Sequence, residues 1–159
     1  MWTLMPSPVG DLRLVANDAA ITAIEFSPFR DHDGRPRGDR SDTSPVLVET
    51  VRQLRAYFDR DLKEFDLPLA PAGSDFQKSV WAQLLRIGYG DTASYGEIAR
   101  RLGRSNAASR AVGLANGSNP IPIVIPCHRV IGADGTLTGY AGGIERKQTL
   151  LELEQDALF

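Results

Sequence analysis

Three prolines fall within seven residues in the second half of the chain: Pro120, Pro122 and Pro126. A proline has no backbone N–H to donate to a sheet ladder, and it pushes the residue before it toward extended geometry. The stretch 119–131 is therefore predicted to be a stiff, extended connector rather than a central strand. It contains the only cysteine of the chain, Cys127, followed directly by His128. Such a connector can hold one thiol in a fixed place.

Cys127 has two interpretations. A lone cysteine is most often a small buried core residue that serves packing. The sequence Pro-Cys-His in a stiffened segment favours the other interpretation, because a thiol beside an imidazole serves nucleophilic chemistry. We therefore predict that Cys127 is a nucleophile, and that Asp134-Gly135 forms the turn that reverses the chain after it.

The single cysteine also limits the kinds of site that the chain can build. It excludes an internal disulfide and a cysteine-rich zinc site, so neither a metal nor a cofactor is expected. The 159 residues suffice for one domain or two small ones. No apolar run has membrane-spanning length and the start is not leader-like, which predicts a cytoplasmic protein without a membrane partner.

The net charge of −2 is unevenly distributed. Residues 1–74 carry nine Lys or Arg against twelve Asp or Glu, whereas residues 75–159 carry nine against eight. Five arginines fall between 86 and 110, opposed there by Asp91 and Glu97. Such a cluster is often a solvated helix face, but any anionic partner would meet this half of the chain.

The first half has the pattern of a small antiparallel sheet followed by a helix. Alternation of apolar and polar residues predicts three strands, at 2–5, 12–16 and 21–26. Residues 27–45, rich in proline, glycine and charge, predict a mobile loop, and apolar spacing predicts a helix from Pro45 to about Arg60. These elements form an N-terminal α/β domain over 1–69, ended by a linker at 70–73.

The second domain, 74–159, is predicted to be mostly helical. Capping residues and apolar spacing place helices at 74–88, 94–102, 107–116 and 144–155. The second and third, joined by a glycine-containing turn, match a helix-turn-helix. The third is built mainly of alanine, serine and glycine around Arg110, so its backbone can lie close to a surface. The alternative is tight helix packing with Arg110 in solvent.

Four segments together resemble one protein family. They are Arg110-Ala111-Val112-Gly113, Asn119-Pro120, Ile125-Pro126-Cys127-His128-Arg129-Val130 and Gly142-Gly143-Ile144-Glu145-Arg146-Lys147. Residues 74–155 are similar to the O6-alkylguanine-DNA alkyltransferases of bacterial type, also called methylated-DNA-protein-cysteine methyltransferases. The resemblance implies an N-terminal ribonuclease-H-like domain and a helical C-terminal domain with a winged-helix-like helix-turn-helix. It also implies direct, single-turnover repair of alkylated double-stranded DNA, with O6-alkylguanine and O4-alkylthymine as substrates.

The resemblance implies a role for each matching catalytic residue. Cys127 would attack the alkyl carbon and keep the group as an S-alkylcysteine. His128, polarised by Glu154, would act on the thiol through a bridging water, since neighbours in an extended chain point to opposite sides. Asn119 would brace the connector, and Tyr95 would donate to the guanine ring nitrogen N3. By local pattern alone, Glu154 would be an exposed carboxylate.

The resemblance also implies a DNA contact surface and a pocket. Arg110 would enter the duplex from the minor groove and replace the flipped nucleotide. The other DNA-binding residues implied are Ala108, Ser109, Gly113 and Tyr95. The pocket would be lined by Val130, Tyr140, Ala141 and Gly142, with the Cys127 and Val130 carbonyls accepting from the guanine amine. We expect a monomer, and the sequence leaves cooperative binding along DNA open.

The chain departs from the family pattern in two places. The helix-turn-helix turn, residues 104–109, lacks the usual proline and carries an extra residue, which changes the spacing of Tyr95 and Arg110. The zinc site that some members hold in the N-terminal domain cannot be built from one cysteine and His32.

Two other functions remain open at the level of the sequence. A cysteine hydrolase would use the same Cys127, His128 and Glu154, although no oxyanion hole or peptide groove is recognisable. A non-catalytic DNA-damage binder would lack the reactive cysteine, so the presence of Cys127 argues against it.

Overall fold

The computed structural model describes residues 1–137 and 139–156, with the Asp156 side chain excluded. The chain divides into two compact units, Met1–Pro71 and Ala72–Phe159. The last three residues of the predicted second domain, 157–159, lie outside the described residues. No helix in the described part of the chain is long and apolar enough to cross a bilayer.

The first unit begins with a three-stranded antiparallel sheet in the order β1-β2-β3. The strands are β1 (Trp2–Met5), β2 (Leu12–Ala16) and β3 (Ile21–Phe26), which confirms the predicted sheet. The central strand β2 is buried along its whole length, because it has a neighbour on each side and a helix above it. Gly10 closes the first hairpin at φ 94°, a backbone conformation that favours glycine.

Helix α1 (Pro45–Phe58) packs on this sheet. Its first-turn proline fits because the N–H that proline lacks would have no partner there. The side of the helix that faces the core has three fully buried residues, Leu47, Leu54 and Tyr57. The helix ends two residues before the predicted Arg60, which adopts a left-handed φ of 64°.

The segment predicted to be a mobile loop makes ion pairs with the sheet. Arg37 Nη2 lies 2.6 Å from Glu25 Oε2 and 2.7 Å from Asp33 Oδ2. Arg13 Nη1 on β2 lies 2.6 Å from Asp31 Oδ1. The charge of this stretch is therefore used for contacts in the first unit; its mobility remains a prediction.

The second unit is mainly helical. Its helices are α2 (Asp75–Leu84), α3 (Tyr95–Arg101), α4 (Ser109–Gly117) and α5 (Ile144–Asp156). Ser74 and Gln77 form the predicted capping box at the start of α2, and the Ser94 hydroxyl accepts from the Glu97 N–H at the start of α3. Helix α2 ends at Leu84, four residues before the predicted stop at Gly88.

The prediction of an extended connector over 119–131 is wrong in its conformation. Residues 121–125 form successive turns: the Ile125 N–H donates to the Ile121 carbonyl at 2.9 Å, and Ile123 has φ 73°. Proline restrains only itself and the residue before it, so Ile123 and Val124 are free to turn. Folding back buries the isoleucines at 121, 123 and 125 together with Val124, which an extended path would place on the opposite side from them.

A short parallel pairing follows the connector. Strand β5 (Val130–Ile131) pairs with β4 (Ala93–Ser94), with Ala93 opposite Val130. Two residues a strand give almost no sequence pattern, so this pairing was not predicted. It brings the start of α3 beside the residues that follow Cys127.

Candidate active site

Cys127 opens a 3-10 turn (Cys127–Arg129) between the proline-rich turns and β5. Only 4% of the residue is exposed. The side chains of Asn119 and Tyr140 and the ammonium of Lys147 all lie near enough to its thiol to affect its pKa. The sequence had grouped Cys127 with Asn119 and Tyr140, and the structure brings these three together.

Burial raises the pKa of the Cys127 thiol to about 11, because the low-dielectric surroundings disfavour a thiolate. The Asn119 hydrogen bond, the Lys147 charge and the Tyr140 hydrogen bond all act in the opposite direction and offset burial in part. The resting thiol is therefore protonated at neutral pH. Since the thiolate is the nucleophile, reaction requires a group that takes the proton.

His128, the residue that follows Cys127, forms a buried pair with Glu154. The His128 Nε2 lies 2.7 Å from Glu154 Oε2, with both side chains almost fully enclosed. Burial lowers the pKa of His128, outweighing the opposite effect of Glu154, and the positive charges of Arg129 and Lys147 add to the lowering. A neutral His128 donates its Nε2–H to the carboxylate, which leaves Nδ1 as an acceptor. Nδ1 is buried and has no hydrogen-bond partner among the described residues.

Arg129 fixes the carboxylate of this pair. Its Nε lies 2.8 Å from Glu154 Oε1, its Nη2 3.1 Å from Oε2, and its Nη1 donates to the Ile87 carbonyl at 2.6 Å. Burial alone would raise the pKa of Glu154, but the His128 and Arg129 contacts outweigh it and lower the pKa to about 2. The carboxylate is therefore ionised throughout the neutral range. The local pattern of an exposed Glu154 was misleading, since the residue is 1% exposed.

Asn119 braces the turns that carry the cysteine. Its Nδ2 donates to the Ile125 carbonyl at 2.8 Å, and its Oδ1 accepts from the Ile121 N–H at 3.0 Å. One side chain thus ties both ends of the buried isoleucine run. These two hydrogen bonds restrain the segment, whereas the sequence had predicted that its stiffness would come from an extended chain.

Sequence reasoning missed three buried polar residues around Cys127: Arg129, Asn116 and Lys147. Asn116 Nδ2 donates to the Cys127 carbonyl at 3.3 Å, and Lys147 Nζ donates to the Val130 carbonyl at 2.6 Å. The signal for Arg129 was its place beside Pro-Cys-His. Asn116 and Lys147 fall on the apolar faces of α4 and α5, a pattern that marks burial but not the identity of the partner.

A second group of predicted residues gathers where α3 meets α4. Tyr95 and Ser109 line two neighbouring cavities, one extending to Ala133 and the other to Arg110 and Gly113. A Cβ added at Gly113 would lie 3.7 Å from the Tyr95 ring, so α4 and Tyr95 are in close contact. Arg110 is exposed and makes no hydrogen bond or ion pair within the described residues.

The turn of the helix-turn-helix is itself partly helical. Residues Asn106–Ala108 form a 3-10 turn ahead of α4, where a longer α-helix was predicted. The Asn106 Oδ1 accepts from Arg100 Nη1 at 2.7 Å, which ties the turn to α3. Ala108 lies in this turn, half-buried, and Arg110 falls in the first turn of α4.

The predicted pocket residues follow Cys127 in β5 and in the segment before α5. Val130 is fully buried in β5, and the Tyr140 side chain lies near enough to the thiol to affect its pKa. Ala141 is exposed and Gly142 half-buried in the turn before α5, where the Gly143 N–H donates to the Tyr140 carbonyl at 2.8 Å. Across the described residues, no group of three or more His, Cys, Asp or Glu side chains has the geometry of a metal site.

Known proteins match the whole chain. Residues 75–156 match the family described as 6-O-methylguanine DNA methyltransferase, DNA binding domain, and residues 1–71 match its ribonuclease-like domain. The methylated-DNA–protein-cysteine methyltransferase of Methanosarcina barkeri is 47% identical over 99% of this chain and 98% of its own length. The protein of that name from Mycobacterium tuberculosis strain H37Rv is 51% identical over 97% of this chain and 92% of its own.

Solved structures match as closely. The crystal structure of Mycobacterium tuberculosis O6-methylguanine methyltransferase superposes with a TM-score of 0.90 at 47% identity, covering 98% of this chain and 93% of that one. The structure of Mycobacterium tuberculosis OGT in complex with DNA gives a TM-score of 0.86 at 46% identity, with the same coverage.

Proposed function

Since this chain belongs to the 6-O-methylguanine DNA methyltransferase family, we propose that Cys127 is the residue that takes the alkyl group from damaged DNA. The family resemblance read from the sequence is confirmed, and the function is DNA repair by transfer of an alkyl group to a cysteine of the protein. The protein acts once, because the acceptor is its own side chain. The chain has one cysteine, and it is the buried thiol beside His128 and Glu154.

The proposed reaction is a displacement at the alkyl carbon. The Cys127 sulfur forms a bond to that carbon as the bond from the carbon to guanine O6 breaks, with the electron pair left on the guanine. The same displacement at O4-alkylthymine extends the proposal to that base. Because the thioether is stable, the product is an irreversible S-alkylcysteine. No step of the proposed displacement uses a metal or a cofactor.

His128 accounts for the proton that Cys127 must lose. Nδ1 of the neutral imidazole is a buried acceptor without a partner among the described residues, so it can receive the thiol proton directly or through a water. The imidazolium that forms is stabilised by Glu154 at 2.7 Å. This pairing is the observation that carries the proposal, because it couples a proton acceptor to a thiol that burial otherwise holds neutral.

Tyr95 and Arg110 serve the DNA in this proposal. A guanine inside a duplex must leave the stack before a buried sulfur can reach its O6 substituent. Tyr95 donates to guanine N3 and stabilises the departing anion, and β4–β5 pairing supports this role by bringing the start of α3 beside β5. The exposed Arg110 guanidinium, which has no partner among the described residues, enters the space that the flipped base leaves. Ser109 and Gly113 line the same cavity as Arg110, and Ala108 lies two residues before it.

The remaining parts of the proposal concern the pocket and the state of the protein. Val130, Tyr140, Ala141 and Gly142 form the walls around the alkyl group. We infer a monomer that works in the cytoplasm on double-stranded DNA. Its two domains are 1–69 and 74–159, with 70–73 as the linker.

The test is the mass of the intact protein after incubation with a duplex that contains one O6-methylguanine. We expect one methyl group retained per molecule and located on Cys127, whereas an unmodified duplex adds none. Turnover of an ester or peptide without retained mass would indicate a cysteine hydrolase, which no observation favours. Tight binding to the lesion without modification would indicate a damage sensor.

A further inference from the structure

Helix α4 has an outward face with one unexpected residue. Its inward face is formed by Val112, Ala115 and Asn116, and the Ala115 carbonyl accepts from the Trp81 indole at 2.8 Å. The outward face contains Arg110, Ala111, Leu114 and Gly117. An amphipathic helix places polar residues on its outward face, yet Leu114 occupies the centre of this one. The small residues of this helix predict a thin surface, and none of the roles implied by the family resemblance involves Leu114.

Leu114 is 71% exposed, the highest value among the large hydrophobic residues that are exposed in the described chain. Its helical neighbours on that face are small except for Arg110, one turn before it. Leu114 and Arg110 line the same shallow cavity with Tyr95, Ser109 and Gly113. An exposed leucine is common on protein surfaces, but this one lies beside Arg110, the side chain that we propose enters the duplex.

We propose that Leu114 is a second DNA-contacting side chain, an apolar wedge that packs into the minor groove beside Arg110. The inference rests on the proposed function, because it needs α4 to face the duplex. The two side chains start about 6 Å apart along the helix axis, which is less than two base-pair steps. Arg110 would replace the flipped base, and Leu114 would cover the apolar sugar and base edges next to the opened step.

The charged residues near Leu114 indicate which kind of partner contacts it. Arg110 lines the same cavity as Leu114, and the exposed arginines at 100, 101 and 104 lie on α3 and in the turn that joins it to α4, which favours a polyanion as the partner of this helix pair. An apolar protein partner would not need that charge, whereas an opened minor groove offers both phosphates and apolar sugar edges. Leucine is one of the side chains that minor-groove proteins insert at distorted base steps.

The test compares Leu114→Ala with a matched surface variant. Leu85→Ala removes a leucine that is 50% exposed at the end of α2, outside the residues assigned to DNA. Each variant is reacted with a methylated duplex and, separately, with free O6-methylguanine base, which needs no flipping. We expect Leu114→Ala to slow transfer from the duplex about tenfold and to leave the free base unaffected. Leu114→Met should keep most of the duplex rate, and Leu85→Ala all of it.

Because the contact is apolar, the loss in Leu114→Ala should persist when salt weakens the phosphate contacts. Equal loss with both substrates, or the same loss in Leu85→Ala, would overturn the wedge, as would a duplex rate equal to wild type. Self-association of the wild type that disappears in Leu114→Ala without DNA would assign the residue to a protein interface instead. If Arg110→Ala slows the duplex reaction and Leu114→Ala does not, the wedge fails while the proposed function stands. A wild type that retains no alkyl group would mean that the proposed function itself fails.

Discussion

Each unit of the molecule contains a carboxylate held by arginine, and the two clusters differ in what else they contain. In the first unit, Glu25 is paired with Arg13 at 2.8 Å and Arg37 at 2.6 Å. In the second, Glu154 is paired with Arg129 at 2.8 Å and His128 at 2.7 Å. Both carboxylates have a lowered pKa, because their hydrogen bonds outweigh the burial that opposes ionisation.

The surroundings separate a structural cluster from a reactive one. Arg13 and Arg37, which hold Glu25, also pair with Asp31 and Asp33. The positive charges of the two arginines are therefore balanced by further carboxylates. Glu154 instead has the imidazole of His128 as its second partner, and the other nitrogen of that imidazole is buried without a hydrogen-bond partner among the described residues. Arginine contacts alone stabilise a carboxylate. When the same carboxylate also binds a histidine, the imidazole can hold a proton during a reaction.

Removing the thiol of the second unit should have the largest effect on the reaction. Cys127→Ser should abolish alkyl transfer, since a hydroxyl in the same place is a far weaker nucleophile at neutral pH. Duplex binding should stay within a few-fold of wild type, because the thiol makes no phosphate contact. Intact mass after reaction and fluorescence anisotropy with labelled duplex measure the two effects. Residual transfer in the serine variant would contradict the assignment of the nucleophile.

Matched glutamine variants at the two carboxylates sharpen the comparison. Glu154→Gln should slow alkylation of Cys127 by about a hundredfold and raise the apparent pKa of the thiol, because the imidazolium loses its counter-charge. Glu25→Gln, with the same change in charge, should leave the rate unaltered. The rate of transfer from free O6-methylguanine base against pH tests both. Equal rates in the two folded variants would remove Glu154 from the mechanism.

Arg110 contrasts with the paired arginines of both clusters, because it has no partner in the described chain. Arg110→Ala should slow transfer from a methylated duplex about tenfold to a hundredfold and leave the free base unaffected. The reason is that a flipped base leaves a gap that the guanidinium no longer fills. Paired rate measurements on the two substrates give the ratio. A uniform loss on both would place Arg110 in the fold or the pocket.

The smallest expected effect is on stability in acid. The folded pKa of Glu154 is depressed to about 2 from 4.5, so its stabilising contribution is present above pH 4.5 and is lost as pH falls toward 2. Wild type should therefore exceed Glu154→Gln in unfolding free energy by about 3 kcal/mol at pH 7, with the gap closing near pH 2. Denaturant titrations at a series of pH values measure it. A gap that does not depend on pH would mean that packing, not charge, causes the difference.

Much of the molecule could be predicted because its signals are local. The strands over 2–26 and the capped starts of α2 and α3 follow from alternation, turn residues and hydroxyl caps that act within a few positions. Cys127 and His128 stood out because a proline-rich segment with a single thiol is rare, and Glu154, Asn119, Tyr95 and Arg110 followed from the family resemblance. The conclusions on the strands, the helix starts and Cys127 needed residue type and spacing alone, whereas the other site residues also needed the family resemblance.

The tertiary structure decided what depends on distant partners. The turns at 121–125 replace an extended connector, because burying Val124 together with the three isoleucines favours a path that the prolines permit but do not specify. Arg129 and Lys147 are buried against a carboxylate 25 residues away and a carbonyl 17 residues away. Long polar side chains are usually exposed, and only the fold supplies the partners that make their burial favourable. The sequence therefore determined which chemistry the chain carries, and the tertiary structure decided the environment that sets its pKa values.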